Sequence, residues 1–311
     1  MKHHILGLHH VTATVNEAQP DLDFCADLLG LRLLKRTVNF DNHNVYHFYY
    51  GTERGTPGTI WTTFPYAGWG VPEGQHGEGQ ITTTSFSIPA GSLPWWSERL
   101  RRRGITSSPT AEGDRLAVKD SSGLVMELRE NPSDTRPFWT GGGIAPEAAI
   151  RGLDRVTLTV RHPDPTVALL TELLGFSLLE EGDRRVTLGV HGGEPGRRVE
   201  LLYGTGAPPA RNGIGTVHHV AFAIADGPQQ LRLRGELLDL GYRVTEVLDR
   251  QYFQSIYFRE PGGVLFEVAT VGPGFTIDEE LSELGRELKL PPWEEAHRAE
   301  IERGLATVRS A

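Results

Sequence analysis

The chain has 311 residues and a formal net charge of −9, with 40 Asp and Glu against 31 Lys and Arg. That balance argues against a nucleic-acid partner, which calls for a basic face. A single cysteine rules out an internal disulfide framework and suits a reducing cytoplasm. No run approaches the roughly 20 apolar residues that span a bilayer. Met1–His4 carries one Lys with no apolar stretch behind it, so neither a membrane partner nor a signal peptide is expected.

In chain order, Ile5–Val15 reads as a strand. Asn16–Leu29 reads as a helix with Leu22, Phe24, Leu28 and Leu29 turned inward, Cys25 as a core residue and Gly30 as its stop. Strands follow at Leu31–Phe40, Val45–Tyr50 and Thr59–Phe64. Pro65–Gly79, with Tyr66 and Trp69, is a loop longer than a turn requires, and suits a binding element as well as a solvated connector. A second unit comprises strand Gln80–Ile88, helix Ser92–Arg103 and strands near Ile105–Pro109, Arg115–Val118 and Gly123–Arg129. Residues 131–149, rich in Pro, Ser and Gly, form a linker.

The third unit is strand Leu153–Val160, helix Pro165–Leu174 stopped by Gly175, and strands near Phe176–Glu180, Arg185–Val190 and Arg198–Leu202. The fourth is Thr216–Ile224, helix Pro228–Leu240, then strands Tyr242–Leu248, Tyr252–Arg259 and Val264–Thr270. Asp27-Leu-Leu-Gly-Leu31 matches Glu172-Leu-Leu-Gly-Phe176, and Ser122-Gly-Leu-Val-Met-Glu127 matches Gly262-Gly-Val-Leu-Phe-Glu267. Such self-similarity fixes an α+β architecture of four βαβββ modules in two tandem halves forming cups. The expected boundaries are 1–130 for the first half, 131–150 for the linker, 151–272 for the second half and 273–311 for a helical tail. In the tail, Thr276 and Glu279 suit a capping box, and Leu281, Leu284 and Leu288 mark one helical face. Pro291-Pro292 ends that helix, and a charged helix runs from Glu294 to Val308. A surface brace is the plain reading of this tail; a cover for the cup or a dimer contact are the others.

Two apolar strands carry His-His pairs, Gly7-Leu-His-His-Val-Thr12 and Gly215-Thr-Val-His-His-Val220, and a third, Gly263–Ala269, carries Glu267. Two His and one carboxylate are the donor set of a mononuclear non-haem iron site with open positions. A lone strand histidine is usually a core residue; two pairs in the first strands of two repeat units, with a costly buried carboxylate, favour a metal. Aligning the units sets Arg155 against His10, Thr83 against His219 and Glu127 against Glu267. The second pair of units therefore lacks the histidines, an Arg155–Glu127 ion pair is expected there, and one metal per chain is expected between the first and fourth units. Strict strand alternation turns His9 and His218 away from His10 and His219 unless the strand bulges.

These residues resemble the vicinal oxygen chelate (glyoxalase/extradiol dioxygenase) superfamily, and within it the ring-cleaving dioxygenases acting on hydroquinones. The resemblance rests on Gly7–Thr12, Val38-Asn-Phe-Asp41, Tyr46–Gly51, Pro57–Pro65, Thr216–Phe222, Asp249–Glu260 and Phe275–Trp293. It implies Fe(II), with Mn(II) suiting the same set, held by His10, His219 and Glu267. It further implies His9, Thr12, His218, Arg250 and Tyr257 around them. The implied reaction opens a small aromatic para-diol with O2 in the cytoplasm, with His218 and Tyr257 as acid–base groups and Arg250 stabilising anionic charge. A glyoxalase-type isomerase or transferase and a non-enzymatic ligand-binding protein are the alternatives on this scaffold, and a homo-oligomer stays open.

Overall fold

The structure, a computed structural model, describes residues 5–110 and 112–309, so Met1–His4 lies outside it. The first unit is β1 (Gly7–Val15), α1 (Ala18–Leu22) continued by a π-helical turn over Asp23–Leu28, β2 (Arg32–Asn39), β3 (Asn42–Gly51) and β4 (Ile60–Pro65). The second is β5 (Gln80–Ile88), α2 (Leu93–Arg102), β6 (Ser107–Pro109), β7 (Arg115–Lys119) and β8 (Val125–Glu130). The third is β9 (Gly152–Thr159), α3 (Asp164–Ala168) with a π turn over Leu169–Leu173, β10 (Ser177–Gly182), β11 (Arg185–Gly189) and β12 (Arg198–Leu202). The fourth is β13 (Thr216–Ile224), α4 (Gly227–Asp239), β14 (Leu248–Asp249), β15 (Phe253–Arg259) and β16 (Leu265–Pro273), and a short α5 (Arg298–Gly304) closes the chain.

Gly30 and Gly175 end the first and third helices at φ of 66° and 80°, a left-handed conformation that glycine adopts without steric cost. The repeated Leu-Leu-Gly is thus a helix stop, with Leu28, Leu29, Leu173 and Leu174 buried behind it. Cys25 is buried as expected.

Two eight-stranded sheets result, in the orders β14-β15-β16-β13-β1-β4-β3-β2 and β10-β11-β12-β9-β5-β8-β7-β6. The first joins the first unit to the fourth through the antiparallel pair β1–β13; the second joins the second unit to the third through β5–β9. Among the described residues no helix is long and apolar enough to cross a membrane.

Three expected elements differ. Of Tyr242–Leu248, only Leu248–Asp249 and an isolated Val244–Phe258 bridge pair with β15. Between them Thr245 interrupts the ladder, because its Oγ1 accepts the Tyr257 N–H at 3.0 Å. In the tail, the Leu281–Leu288 helix does not form. Leu281–Glu283 is one 3-10 turn, Leu284 leaves it extended, and Gly285 has φ 79°, where any Cβ would strike the Leu33 carbonyl. The segment lies along β2 instead, bridging Arg36 through Leu288. The last helix is shorter than expected, a 3-10 turn at Glu295–His297 followed by α5.

The tail serves the edge of the first sheet. Lys35, on edge strand β2 and fully buried, pairs with Asp278 at 2.6 Å and with Glu279, and Asp278 also accepts from Tyr252 OH at 3.0 Å. Tyr252 lies just before β15 near the opposite edge, so the tail straps the two edges of the curled sheet together.

Candidate active site

Across β1–β13 the register slips twice. Leu8 faces Phe222 and His10 faces Ala221, which leaves His9 as an extra residue in β1; Thr12 faces His219 and Ala13 faces Val217, which leaves His218 extra in β13. A bulge re-aims the inserted side chain, and here it brings each first histidine beside the second. The His9 and His10 Nδ1 atoms are 2.9 Å apart, and those of His218 and His219 are 2.8 Å apart.

With the Nδ1 edges engaged, the Nε2 edges of His10 and His219 converge, 3.3 Å from each other. Glu267 enters from β16, next to Ala221 in the parallel β13–β16 pair. Its Oε2 lies 2.8 Å from His219 Nε2 and 3.3 Å from His10 Nε2. Ser255 donates to the other oxygen, Oε1, while Oε2 is fully buried with no hydrogen-bond partner of acceptable geometry. Burial alone would raise the Glu267 carboxyl, yet His10 and His219 hold it well below the ordinary carboxylate range. Burial drives His9 and His218 down to about 3, with His10 and His219 respectively adding to the effect, so both are neutral imidazoles.

The donor set fits a divalent transition metal. Each Nδ1–Nδ1 contact needs one N–H; placed on His10 and His219, it leaves both Nε2 atoms as lone pairs facing a carboxylate oxygen. Three acceptors within 4.8 Å of one another, one of them an orphaned carboxylate oxygen, call for a cation at their centre.

Around this triad lies a cavity of about 210 Å³. Phe40, Tyr49, Phe64 and Phe253 give it aromatic walls, and Asn39, His47, Tyr66, His218, Arg250 and Tyr257 its polar groups. Tyr257 stands opposite Glu267 in the β15–β16 ladder, its ring 5.7 Å from that of His219. Burial and the Glu267 charge push its phenol well up, against Arg250. Arg250 sits in the turn before β15 and donates through Nε to Tyr257 OH at 3.2 Å. Its other two nitrogens donate to Asp41 at 3.2 and 3.1 Å. Asp41 follows β2 and Arg250 follows β14, the two edge strands, so this ion pair joins the rims of the cup. Thr12 is fully buried beneath it and accepts from Thr62 Oγ1 at 2.7 Å, which in turn meets His47 Nε2 at 3.0 Å.

Every residue expected at the site is therefore gathered in or against one cup, between the first and fourth units. Asn39, Asp41, Tyr49, Phe64, Tyr66, Phe253 and Ser255 join them, without a charge or spacing pattern that would single them out. Several stand inside the resembling segments Val38–Asp41, Tyr46–Gly51 and Asp249–Glu260.

The second sheet repeats the bulges. Thr82 and Asp154 are its inserted residues, so Asp154-Arg155 stands where His9-His10 does and Thr82-Thr83 where His218-His219 does. The expected Arg155–Glu127 pair is not formed. Asp154, bulged beside Arg155, reaches its Nε at 2.7 Å and Glu200 lies 3.6 Å away, while Glu127 accepts from Ser85 at 2.7 Å and lies 3.2 Å from Arg115.

Residues 152–268 match the family model described as the Glyoxalase/Bleomycin resistance protein/Dioxygenase superfamily. Over 300 residues the chain is 42% identical to MhqE of Bacillus subtilis (strain 168), provisionally named a ring-cleaving dioxygenase, covering 95% of this chain and 96% of that one. It is 36% identical over 318 residues to a chlorohydroquinone/hydroquinone 1,2-dioxygenase of Sphingobium indicum, covering 96% and 95%. A crystal structure of a provisionally assigned dioxygenase from Bacillus subtilis superposes with a TM-score of 0.93 at 38% identity, covering 100% of this chain and 99% of that one.

Proposed function

The chain belongs to the glyoxalase/bleomycin resistance protein/dioxygenase superfamily, alongside its ring-cleaving dioxygenases, and on that premise we propose that it opens hydroquinone-type rings with O2 at a ferrous centre. The observation that carries this reading is the buried Glu267 Oε2, unpartnered and faced by two Nε2 atoms. His10, His219 and Glu267 would hold the metal, and His9 and His218 would fix the ligand imidazoles through Nδ1. When bound, Fe(II) supplies open positions for an ionised diol and O2 and the electrons that activate the latter.

The chain's own groups do the rest. A cavity of about 210 Å³ is below the roughly 300–1,000 Å³ of sites for drug-sized ligands, and it suits a single six-membered ring. Phe40, Tyr49, Phe64 and Phe253 pack its faces and exclude water. His218, half-buried and neutral, accepts from His219 at Nδ1 and so carries its own proton on Nε2, where it can donate to a substrate or dioxygen-derived oxygen. Tyr257, kept protonated by burial, donates a hydrogen bond or a proton to oxygen leaving the ring. Arg250, half-buried against Tyr257 and turned by Asp41, places a positive charge where oxyanion character develops. At the rim Asn39 donates to Tyr66 OH at 2.9 Å, a polar pair available to a second ring hydroxyl.

The test is anaerobic reconstitution with Fe(II), then oxygen uptake on hydroquinone and catechol in parallel. Uptake with hydroquinone and a new ultraviolet band from the opened ring is expected. Uptake with catechol alone would move the substrate to ortho-diols, and failure to retain any metal would overturn the site.

A further inference from the structure

A larger cavity, about 790 Å³, shares no lining residue with the cup. It opens between β2, α2, the linker and the tail. Six arginines line it, Arg32, Arg36, Arg99, Arg103, Arg286 and Arg309, against one carboxylate, Asp27. Arg286 pairs with Glu283, just outside it, and Arg309 lies 3.8 Å from Asp23. With Glu53 also acting on Arg32, the six arginines still outnumber the carboxylates Asp23, Asp27, Glu53 and Glu283, so this wall is net positive in a chain of net charge −9.

Among the described residues, Arg32, Arg36, Arg99 and Arg103 make no ion pair. Arg32 donates to the carbonyls of Glu53 and Leu281, Arg36 to that of Arg286, and Arg99 to those of Leu28 and Asp27. Carbonyls satisfy hydrogens without cancelling charge. Arg36 Nε is buried with no partner, and the guanidinium of Arg32 lies 4.5 Å over the ring of Trp139. Burial lowers Arg32, with Arg286 adding to it against Glu53, and burial with Arg103 lowers Arg99. Chain clamping alone needs donors, not self-repelling cations, and such concentrations mark binding sites for anions.

We propose that this cavity binds a small molecule carrying a diphosphate. Planar guanidinium forks match phosphate oxygens bidentately, the surplus of positive charge on facing walls suits the multiple negative charges of a diphosphate, and the volume exceeds what one oxyanion fills. The ligand would bridge β2, α2 and the tail, whose arginines face each other across the cavity.

The experiment is calorimetric titration of the full-length protein with pyrophosphate, orthophosphate and ADP. Saturable pyrophosphate binding is expected, weakened by added NaCl, and weakened about tenfold by Arg103→Glu or Arg286→Glu, each exposed and reversing one charge. Circular dichroism confirms that both variants fold. Glu267→Gln, altered only in the cup, should bind pyrophosphate as the wild type does. ADP binding tighter than pyrophosphate identifies a nucleotide; equal or weaker binding identifies a free polyanion, and both sustain the site. No saturable binding, undiminished binding by both charge reversals, or loss of binding in Glu267→Gln would overturn it.

Discussion

Replacing His9 with Phe tests whether the bulge in β1 serves the metal ligand. Phe keeps the ring that packs 4.8 Å from Phe253 and removes the nitrogen 2.9 Å from His10 Nδ1. A neutral hydrogen bond on a buried ligand is then lost, and the His10 N–H is left without a partner, at a cost of about 1–3 kcal/mol. Supporting partners of metal ligands are worth roughly 10–100-fold in affinity, and every 1.4 kcal/mol corresponds to about tenfold, so the two scales agree. The expected outcome is metal affinity reduced about 10–100-fold; in the metal-free protein the His10 proton can sit instead on Nε2, facing Glu267 Oε2, so the melting temperature of that form should change little. Competition for Fe(II) or Mn(II) against a chromophoric chelator reads this without turnover. His162→Ala, on an exposed histidine, serves as the control. An affinity for His9→Phe equal to that of the control would refute the supporting role, and with it the bulge's purpose.

Tyr257→Phe should retain metal and lose turnover by about 10²–10⁴-fold, the range of a positioned proton donor, measured as oxygen uptake at matched metal content. Lys35→Met strands Glu279, which is 3% exposed, and should cost about 3–5 kcal/mol in chemical denaturation; adding Glu279→Gln should restore part of it. Asp21 is buried and accepts from Tyr50 OH at 2.7 Å and Thr63 Oγ1 at 2.5 Å, and burial raises it from 3.8 to about 7. Its native state therefore holds a proton that the unfolded chain has lost between about pH 4 and 7, so its contribution is full below pH 4 and falls as pH rises through 7. Asp21→Asn should flatten stability over that window, recovering up to about 4 kcal/mol at neutral pH; an unchanged pH profile would dismiss the assignment.

What the sequence made legible was the part carried by pattern. Alternating apolar strands, Leu-Leu-Gly stops and a half-chain repeat specify the modules, and two strand-bound His-His pairs with Glu267 are conspicuous because buried ionisable groups are rare. The bulges enter the sequence reading only as a condition for the His-His pairs to meet, since an inserted residue alters no periodicity that a single strand displays. Yet they decide whether His9 and His218 meet His10 and His219. The tail misled for a related reason: Leu281, Leu284 and Leu288 recur at helical spacing, but Gly285 presses on the Leu33 carbonyl, and the segment lies along β2 instead. The Arg155–Glu127 expectation failed because a bulged neighbour, Asp154, lay closer than a residue two strands away.

The nesting of the two sheets also sets an order of birth. Strands β5 to β12 lie together between residues 80 and 202, so the second sheet has all its strands once the ribosome has passed Leu202. The first sheet does not: β1 must wait for β13, which begins at Thr216, before its inner edge is covered. Pairings of such sequence separation form late and slowly. His10 thus waits for His219, and Glu267 arrives last of the three. The three donors proposed to hold the metal are therefore together only after Glu267 has been made, and a chain terminated before Leu265 carries the histidines without the carboxylate.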